Sequence, residues 1–336
     1  ALHQYRTYTL SLNIKYAEAY HIINSKSLKK GSDLWLKNRY ILDLPKTKET
    51  ETVLHPLISV IVRTMNRPEL TEALSSISQQ TYPNLQVIVV DAIGDNTLKL
   101  GNQCGSYPII VVTKNKALNR PEAANAGLNA VEGKYFCFLD EDDLLLPDHI
   151  EKLQMCLANK NAPAAYSIVE RVDKNFNHEF VYGQKYSFLN LIWENFIPNL
   201  ALLFRKEVIN RGCLFDSNFS LYEDWDFLIQ VAQFGDFEFI ESKGGVYRNL
   251  NSSGIFKEGD LVRNYRKKIF EKWLPILNYE KVNSITKNIT SARSSHRKMV
   301  AHLFFRIGDR SYNEKDSLYK EVNEDIRSLN FNINHS

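Results

Sequence analysis

From Leu57 onward the chain alternates short apolar runs with amphipathic stretches. Leu57-Ile-Ser-Val-Ile-Val62, Leu85-Gln-Val-Ile-Val-Val90, Pro108-Ile-Ile-Val-Val-Thr113 and Tyr135-Phe-Cys-Phe-Leu139 are almost continuously apolar and rich in β-branched or aromatic residues. Such runs predict strands covered on both faces, because a strand with one wet face would alternate polar and apolar positions. Between them the apolar spacing becomes helical. Pro68 precedes Leu70, Leu74 and Ile77, Pro121 precedes Ala123, Ala124, Gly127 and Leu128, and Pro147 opens a helix to about 159. Proline suits a first helical turn, where its missing N–H has no partner to lose. Strands and helices alternating at this spacing predict an α/β fold. Its right-handed crossovers would build a Rossmann-like, mostly parallel central sheet flanked by helices.

Beyond residue 160 the pattern is mixed. Ala164 to Val172 alternates like a strand, and Phe180 to Tyr182 should pair with it across the polar turn from Asp173 to His178. Asn199-Leu-Ala-Leu-Leu-Phe204 reads as one more apolar strand, followed by a short helix over 206–210. From Asp224 the residues Phe227, Leu228, Val231 and Phe234 share one helical face, and Gly235 stops that helix. Glu223, Asp224 and Asp226 therefore stand at its N-terminus.

Composition narrows the partners. With 336 residues and a net charge of +3, the chain is not basic enough to suggest nucleic acid as a partner. No apolar run approaches the roughly 18 residues that a membrane-spanning helix needs. Four scattered cysteines (104, 137, 156 and 213) suggest reduced, mostly buried thiols and a cytoplasmic setting. The opening Ala-Leu-His-Gln-Tyr-Arg has no signal-peptide pattern and no initiator Met, so the chain is expected to be trimmed or part of something longer. Basic residues mix with Phe270, Trp273 and Leu274 over Leu261–Leu277. That helix could lie on a membrane surface, or pack on the protein with its cations snorkelling; packing is the favoured reading.

The candidate chemistry gathers at strand ends. Asp140 to Asp143 place four consecutive acids at the tip of the strand that begins at Tyr135. Carboxylates so close repel one another, and a cation between them relieves the repulsion. An acidic loop capping the next helix is the plainer explanation, but it would need only one or two acids. Thr64, Asn66, Asp91 and Arg120 fall at the carboxyl ends of neighbouring strands or the loops that follow, where open α/β sheets bind ligands.

Five blocks occur in order: Ile58-Ser-Val-Ile-Val-Arg-Thr-Met-Asn-Arg-Pro68, Val87-Ile-Val-Val-Asp91, Ala123-Ala-Asn-Ala-Gly-Leu128, Phe138-Leu-Asp-Glu-Asp-Asp143 and Tyr222-Glu-Asp-Trp-Asp-Phe227. As a set they resemble family 2 inverting glycosyltransferases of the GT-A fold, of the non-processive bacterial polysaccharide or O-antigen type. The resemblance covers residues 56–250 or so and implies roles position by position. Thr64 and Asn66 would line the nucleotide pocket, Asp91 would read the donor base, and Arg120 would meet ribose or phosphate. Asp140 and Asp142 match the two acids of the Asp-x-Asp motif, the first near the ribose and the second on Mn²⁺ or Mg²⁺. Arg248 would approach the diphosphate. Asp224 matches the catalytic base, with Glu223 beside it. Apart from the resemblance, Trp225 offers a flat apolar face for a sugar, and Trp225 and Asn199 are the acceptor-binding candidates.

The implied organisation is a helical N-terminal extension and linker over 1–55, a GT-A domain over 56–255 and a basic helical extension over 256–336. Within the domain, 56–150 would bind the nucleotide and 151–255 the acceptor. The implied partners are a nucleotide-diphosphate sugar and a glycan or lipid-linked acceptor. Peripheral contact with the inner face of a membrane belongs to the alternative reading of the basic C-terminal helices. Two departures touch the base pocket. Family members commonly show Pro-Thr-Tyr-Asn where this chain has Arg63-Thr-Met-Asn66, and Asp-Asp where it has Asp91-Ala92. A silent GT-A-like binding module and a sugar-phosphate nucleotidyltransferase are the other readings. The first should have lost the acids, and the second usually carries a glycine-rich loop that Arg63 to Pro68 lacks.

Overall fold

Strand β1 (Ile58–Thr64) pairs in parallel on both sides, with β2 (Leu85–Asp91) and with β5 (Tyr135–Asp140). Ile58, Val60, Ile61 and Val62 have no solvent exposure, as their unbroken apolar run requires. In this computed structural model residues 55–95, 97–250 and 260–273 are described, so the expectations for the N-terminal extension lie outside them. The chain divides into two units, residues 43–265 and residues 1–42 with 266–336. Every strand of the sheet lies in the first unit.

Helix α1 (Leu70–Ser78) links β1 to β2, and α2 (Arg120–Asn129) precedes β5. Between them lie β3 (Gln103–Cys104) and β4 (Tyr107–Val112). The remaining strands are β6 (Leu144–Leu145), β7 (Ala164–Asp173), β8 (His178–Tyr182), β9 (Leu202–Arg205) and β10 (Glu238–Asn249). Their order across the sheet is β3-β4-β2-β1-β5-β9-β7-β10-β6, with β8 joined to β7. The β4-β2-β1-β5 half is parallel throughout, whereas β9 runs antiparallel to both β5 and β7. The fold is thus the expected mixed α/β type, with a parallel core and a second half of mixed direction.

Two local expectations need correction. β4 is not covered on both faces, since Ile110 and Val111 keep 38% and 42% exposure. It lies next to the two-residue β3 near the rim of the sheet, where little packs above it. The strand expected from Asn199 begins only at Leu202, because Asn199–Ala201 form a 3₁₀ turn. The 206–210 helix is a single turn, α5 (Glu207–Asn210). By contrast the β7–β8 hairpin pairs as its alternation suggested, with Glu170 opposite Val181. Helices α3 (His149–Ala158), α4 (Phe188–Trp193) and α6 (Glu223–Val231) complete the domain. The four cysteines are free thiols, three of them buried.

A further helix, α7 (Asp260–Trp273), falls within the basic C-terminal stretch. Its apolar positions Ile269, Phe270 and Trp273 are buried. Among the described residues no helix is long and apolar enough to cross a membrane.

One contact shows how tightly the parallel half is packed. Asn119 caps α2 by accepting from the Glu122 amide at 2.9 Å, and the Glu122 carboxylate accepts from the Asn119 amide at 3.0 Å. So anchored, α2 lies on β1 so closely that a Cβ on Gly127 would stand 2.4 Å from Ile61 Cγ2. Gly127→Ala is therefore expected to destabilise the protein by about 1–3 kcal/mol through overpacking. This should happen although alanine is the better helix former by about 1 kcal/mol. Urea unfolding measures it, and an unchanged or higher midpoint would refute the close packing.

Candidate active site

Parallel pairing delivers the candidate residues to one edge of the sheet. Arg63 lies in register with Asp140 across β1 and β5, and Thr64 with Asp91 across β1 and β2. The guanidinium of Arg63 grips Asp140 with two bonds, Nε to Oδ1 and Nη2 to Oδ2, both 2.8 Å. Its third nitrogen, Nη1, reaches Glu223 Oε1 at 3.5 Å, joining the strand tip to the start of α6 from 160 residues away. Burial alone would lower the Arg63 pKa, but the charges of Asp140 and Glu223 more than reverse this and raise it. Arg63 is thus a cation embedded among acids.

The four acids of the strand tip have four different environments. Asp140 is the partner of Arg63. Glu141 is buried and ties down the loop after β1: its Oε2 accepts from Thr64 Oγ1 at 2.5 Å and from the Arg67 amide at 3.1 Å, and its Oε1 from the Met65 amide at 3.0 Å. Asp143 is buried, accepts from the Arg248 amide at 2.9 Å, and is raised well above the usual carboxylate range by burial and by Asp142 and Asp140. Asp142 keeps 34% of its side chain exposed, with Arg67 Nη1 3.8 Å away. Burial, then the charge of Asp140, raise its pKa as well. Of the four, Asp142 is the part-exposed carboxylate whose nearest charged partner among the described residues is the more distant Arg67.

At α6 the residue before the acidic pair, Tyr222, adopts a left-handed backbone at φ 64°. A non-glycine residue pays for that geometry, and such strain gathers at functional sites. Tyr222 is the N-cap and offers no side-chain cap, so Asp224 is not the capping residue of this helix. Glu223 is buried and raised to about 7 by burial, then by the charge of Asp224. Asp224 is partly exposed and also raised, by burial first. Its Oδ1 accepts from the Trp225 amide at 2.7 Å and its Oδ2 from Asn195 Nδ2 at 3.1 Å. The positive charges of Arg63 and Arg120 oppose the rise at both acids, which brings the exposed Arg120 into the same field.

Other expected residues sit as follows. Thr64 is buried and donates to Glu141, while Asn66 is exposed at φ 56° with its amide on Thr64 Oγ1 at 2.8 Å. Asp91 is 2% exposed, and its Oδ1 accepts from the Ile93 and Gly94 amides at 3.0 Å each. The guanidinium of Arg248 bonds the Asp142 carbonyl and Glu72, which fixes the main chain of the acidic tip. Asn199 holds both amide atoms buried without a hydrogen-bond partner. Trp225 needs a correction. It is fully buried, with its indole N–H on the Leu191 carbonyl at 2.5 Å, so it presents no face to an acceptor. One helical step from Asp224 turns the side chain about 100° away, into the core.

Sequence reasoning missed Arg63, Glu141 and Asn195. Arg63 had a visible signal, since it replaces the proline usual at that position. Asn195 had none, as its bond to Asp224 spans 29 residues of irregular chain.

Residues 59–219 match Glycosyl transferase family 2. The match spans the acidic strand tip and ends just before Tyr222. Curated relatives agree with it. A Bacillus subtilis (strain 168) protein named "Uncharacterized glycosyltransferase YwdF" is 29% identical over 52% of this chain and 68% of its own. A Haemophilus influenzae "Uncharacterized glycosyltransferase" is 28% identical over 53% of this chain and 62% of its own. Escherichia coli "UDP-Glc:alpha-D-GlcNAc-diphosphoundecaprenol beta-1,3-glucosyltransferase WfgD" is 26% identical over 66% of this chain and 92% of its own. Among solved structures, that of S. aureus TarS 1-349 in complex with UDP superposes with a TM-score of 0.50 at 16% identity, covering 77% of this chain and 73% of that one. At that identity the likeness concerns the fold.

The resemblance to family 2 raises the question of a divalent cation. Among the described residues no group of three or more His, Cys, Asp or Glu side chains could hold a metal by itself. Asp140 is not open to one, since both of its oxygens pair with Arg63. Asp142 is exposed and crowded by negative charge, the environment a hard cation relieves. Mg²⁺ commonly binds through one or two carboxylates, with substrate phosphates completing the shell. The part-exposed Asp142 carboxylate fits that mode and would be the residue to hold such an ion.

Glu141 offers the test of this geometry. Glu141→Ala would leave the Met65 and Arg67 amides and the Thr64 hydroxyl without their acceptor. Bonds to a charged group are worth about 1.5–3 kcal/mol each, so a total loss of about 2–4 kcal/mol is expected after water re-solvates part of the loop. Chemical denaturation and amide exchange at Met65 and Arg67 would read it. Unaltered protection of both amides would show that the loop stands without Glu141.

Proposed function

We propose that this chain is a metal-dependent inverting glycosyltransferase. It moves one sugar from a nucleotide-diphosphate donor to a hydroxyl of a glycan or lipid-linked acceptor, with Asp224 as general base. The observation that carries the reading is the Arg63 bridge. It joins the acidic strand tip, through Asp140, to the start of α6, through Glu223. A donor site and a base from opposite ends of the domain thereby meet. The names of the relatives support a glycosyltransferase, and that of WfgD supports a UDP-sugar donor and a diphosphoundecaprenol-linked acceptor.

The chemistry follows from the arrangement. The acceptor hydroxyl attacks the anomeric carbon from the face opposite the nucleoside diphosphate, and the bond to the diphosphate oxygen breaks. The acceptor proton passes to Asp224, whose affinity for it is increased by burial. Asn195 and the Trp225 amide hold the Asp224 carboxylate in one orientation. Glu223 adds negative charge beside the base, and Arg63 and Arg120 limit the combined rise. Mn²⁺ or Mg²⁺, held through Asp142 and the donor phosphates, would neutralise the leaving diphosphate. A silent module has no use for a crowded acidic pair behind a strained Tyr222, and perturbed carboxylates gather where chemistry is done. The proposed setting is cytoplasmic, with lipid-linked acceptors reached at the inner face of the membrane.

Two outcomes are expected. Asp224→Asn should lower transfer by about 10²–10⁴-fold, the usual worth of a positioned base. UDP binding, read by thermal shift with Mn²⁺, should persist; loss of binding together with activity would remove Asp224 from the base role. The pH profile gives a second check. Burial favours the protonated form, so the base is lost as pH falls through its raised pKa. With Asp224 raised above the ordinary carboxylate range, kcat/KM should begin to decline at a higher pH than an exposed aspartate would give. A profile flat down to the pH of about 4 at which exposed carboxylates titrate would contradict the buried pair.

A further inference from the structure

A groove of about 220 Å³ runs beside the β7–β8 hairpin, lined by Phe180, Val181, Tyr182, Gly183, Gln184 and Phe196. We propose that this groove binds a pyranose ring of the acceptor glycan, on the aromatic side chains of Phe180, Tyr182 and Phe196. Its role as an acceptor subsite rests on the transferase reading above.

Continuity with the candidate active site is the first argument. Phe196 follows Asn195, the residue whose side chain holds Asp224 Oδ2 at 3.1 Å. On the other side, the Tyr182 ring stands 6.4 Å from that of Tyr247, edge to face. Tyr247 in turn lies within the field of Asp143, Asp142 and Asp140, whose charges add to burial in raising its phenol pKa. The groove therefore has the base on one flank and the acidic tip on the other. An acceptor whose hydroxyl reaches Asp224 passes close to Asn195, whose chain neighbour Phe196 lines the groove.

The chemistry of the lining is the second argument. The rings of Phe180 and Tyr182 meet edge to face at 4.9 Å, and Phe180 keeps 53% exposure. That much exposed aromatic surface is costly in water and suits a ligand with an apolar face. A pyranose has such a face, formed by its axial C–H bonds, and a rim of hydroxyl groups. Exposed Gln184 supplies a side-chain amide at the groove, a donor and acceptor for that rim. Apolar walls with a few polar groups are the usual composition of a small-ligand site. A lipid tail would want a longer apolar trough, whereas this lining is short and includes Gln184, whose chain neighbour Lys185 pairs with Glu241 at 3.4 Å.

The test measures sugar binding without donor, by saturation-transfer NMR on the full chain. The probes are cellobiose and N,N′-diacetylchitobiose, with dodecyl phosphate as the lipid-like comparison. At least one disaccharide should bind, and Phe180→Ala should weaken it ten-fold or more. Phe180→Leu keeps the apolar bulk but loses the flat ring and should weaken it as well, while Phe180→Tyr should bind like the parent. Met155→Ala, on the exposed side of α3, is the control for general effects of substitution. Undiminished binding in both the Ala and Leu variants would overturn the proposal, as would binding of dodecyl phosphate but of neither disaccharide. Release of UDP from UDP-glucose is followed separately. Disaccharide binding with no release from any nucleotide sugar would count against the transferase reading and keep the groove as a sugar site.

Discussion

The site depends on one guanidinium among carboxylates. Asp140, Asp142, Asp143, Glu223 and Asp224 crowd one region of the domain, and Asp143 and Glu223 are almost entirely buried. Without a cation the ionised cluster would repel itself. Arg63 supplies one, with two bonds to Asp140 and a longer contact to Glu223. Removing one partner of a buried pair typically costs about 3–5 kcal/mol. The cost here should be smaller on the Asp140 side, where 38% of the side chain meets water. The planar fork of arginine suits this position, because lysine would bring one point charge to two acids on different elements.

Around that bridge the remaining acids divide the work. Glu141 serves the backbone, holding the loop after β1 through two amides and a hydroxyl. Asp143 serves it too, through the Arg248 amide, and Arg248 returns the favour by bonding the Asp142 carbonyl. Asp142 is then the acid presented outward on a loop whose main chain is fixed from both sides. This is the preorganisation a charged ligand needs, since the ordering is done before binding.

Part of this could be read along the chain. The parallel core was legible because each buried strand is a continuous apolar run, and the β7–β8 hairpin because its residues alternate. The acidic tip and the acids at the start of α6 were legible as charge placed at element ends. The roles inside the acidic tip were not. Four adjacent acids look alike in one dimension, and which is clamped, buried or open depends on partners 74 to 106 residues away. Trp225 misled for a similar reason: an aromatic beside the acid matched to a catalytic base suggests a sugar platform, but the helical step turned it into the core.

The amino-acid order by itself determined the alternation of strands and helices and, through it, which loops gather at one edge of the sheet. Periodicity is a local property, and burial of both strand faces leaves few arrangements open. Only the tertiary structure decided that Arg63 would join Asp140 to Glu223, that Asn195 would hold Asp224, and that an aromatic groove would lie beside it. Those contacts cross between elements distant in the chain. Their geometry comes from how the sheet twists and the helices seat, which no short stretch of residues encodes.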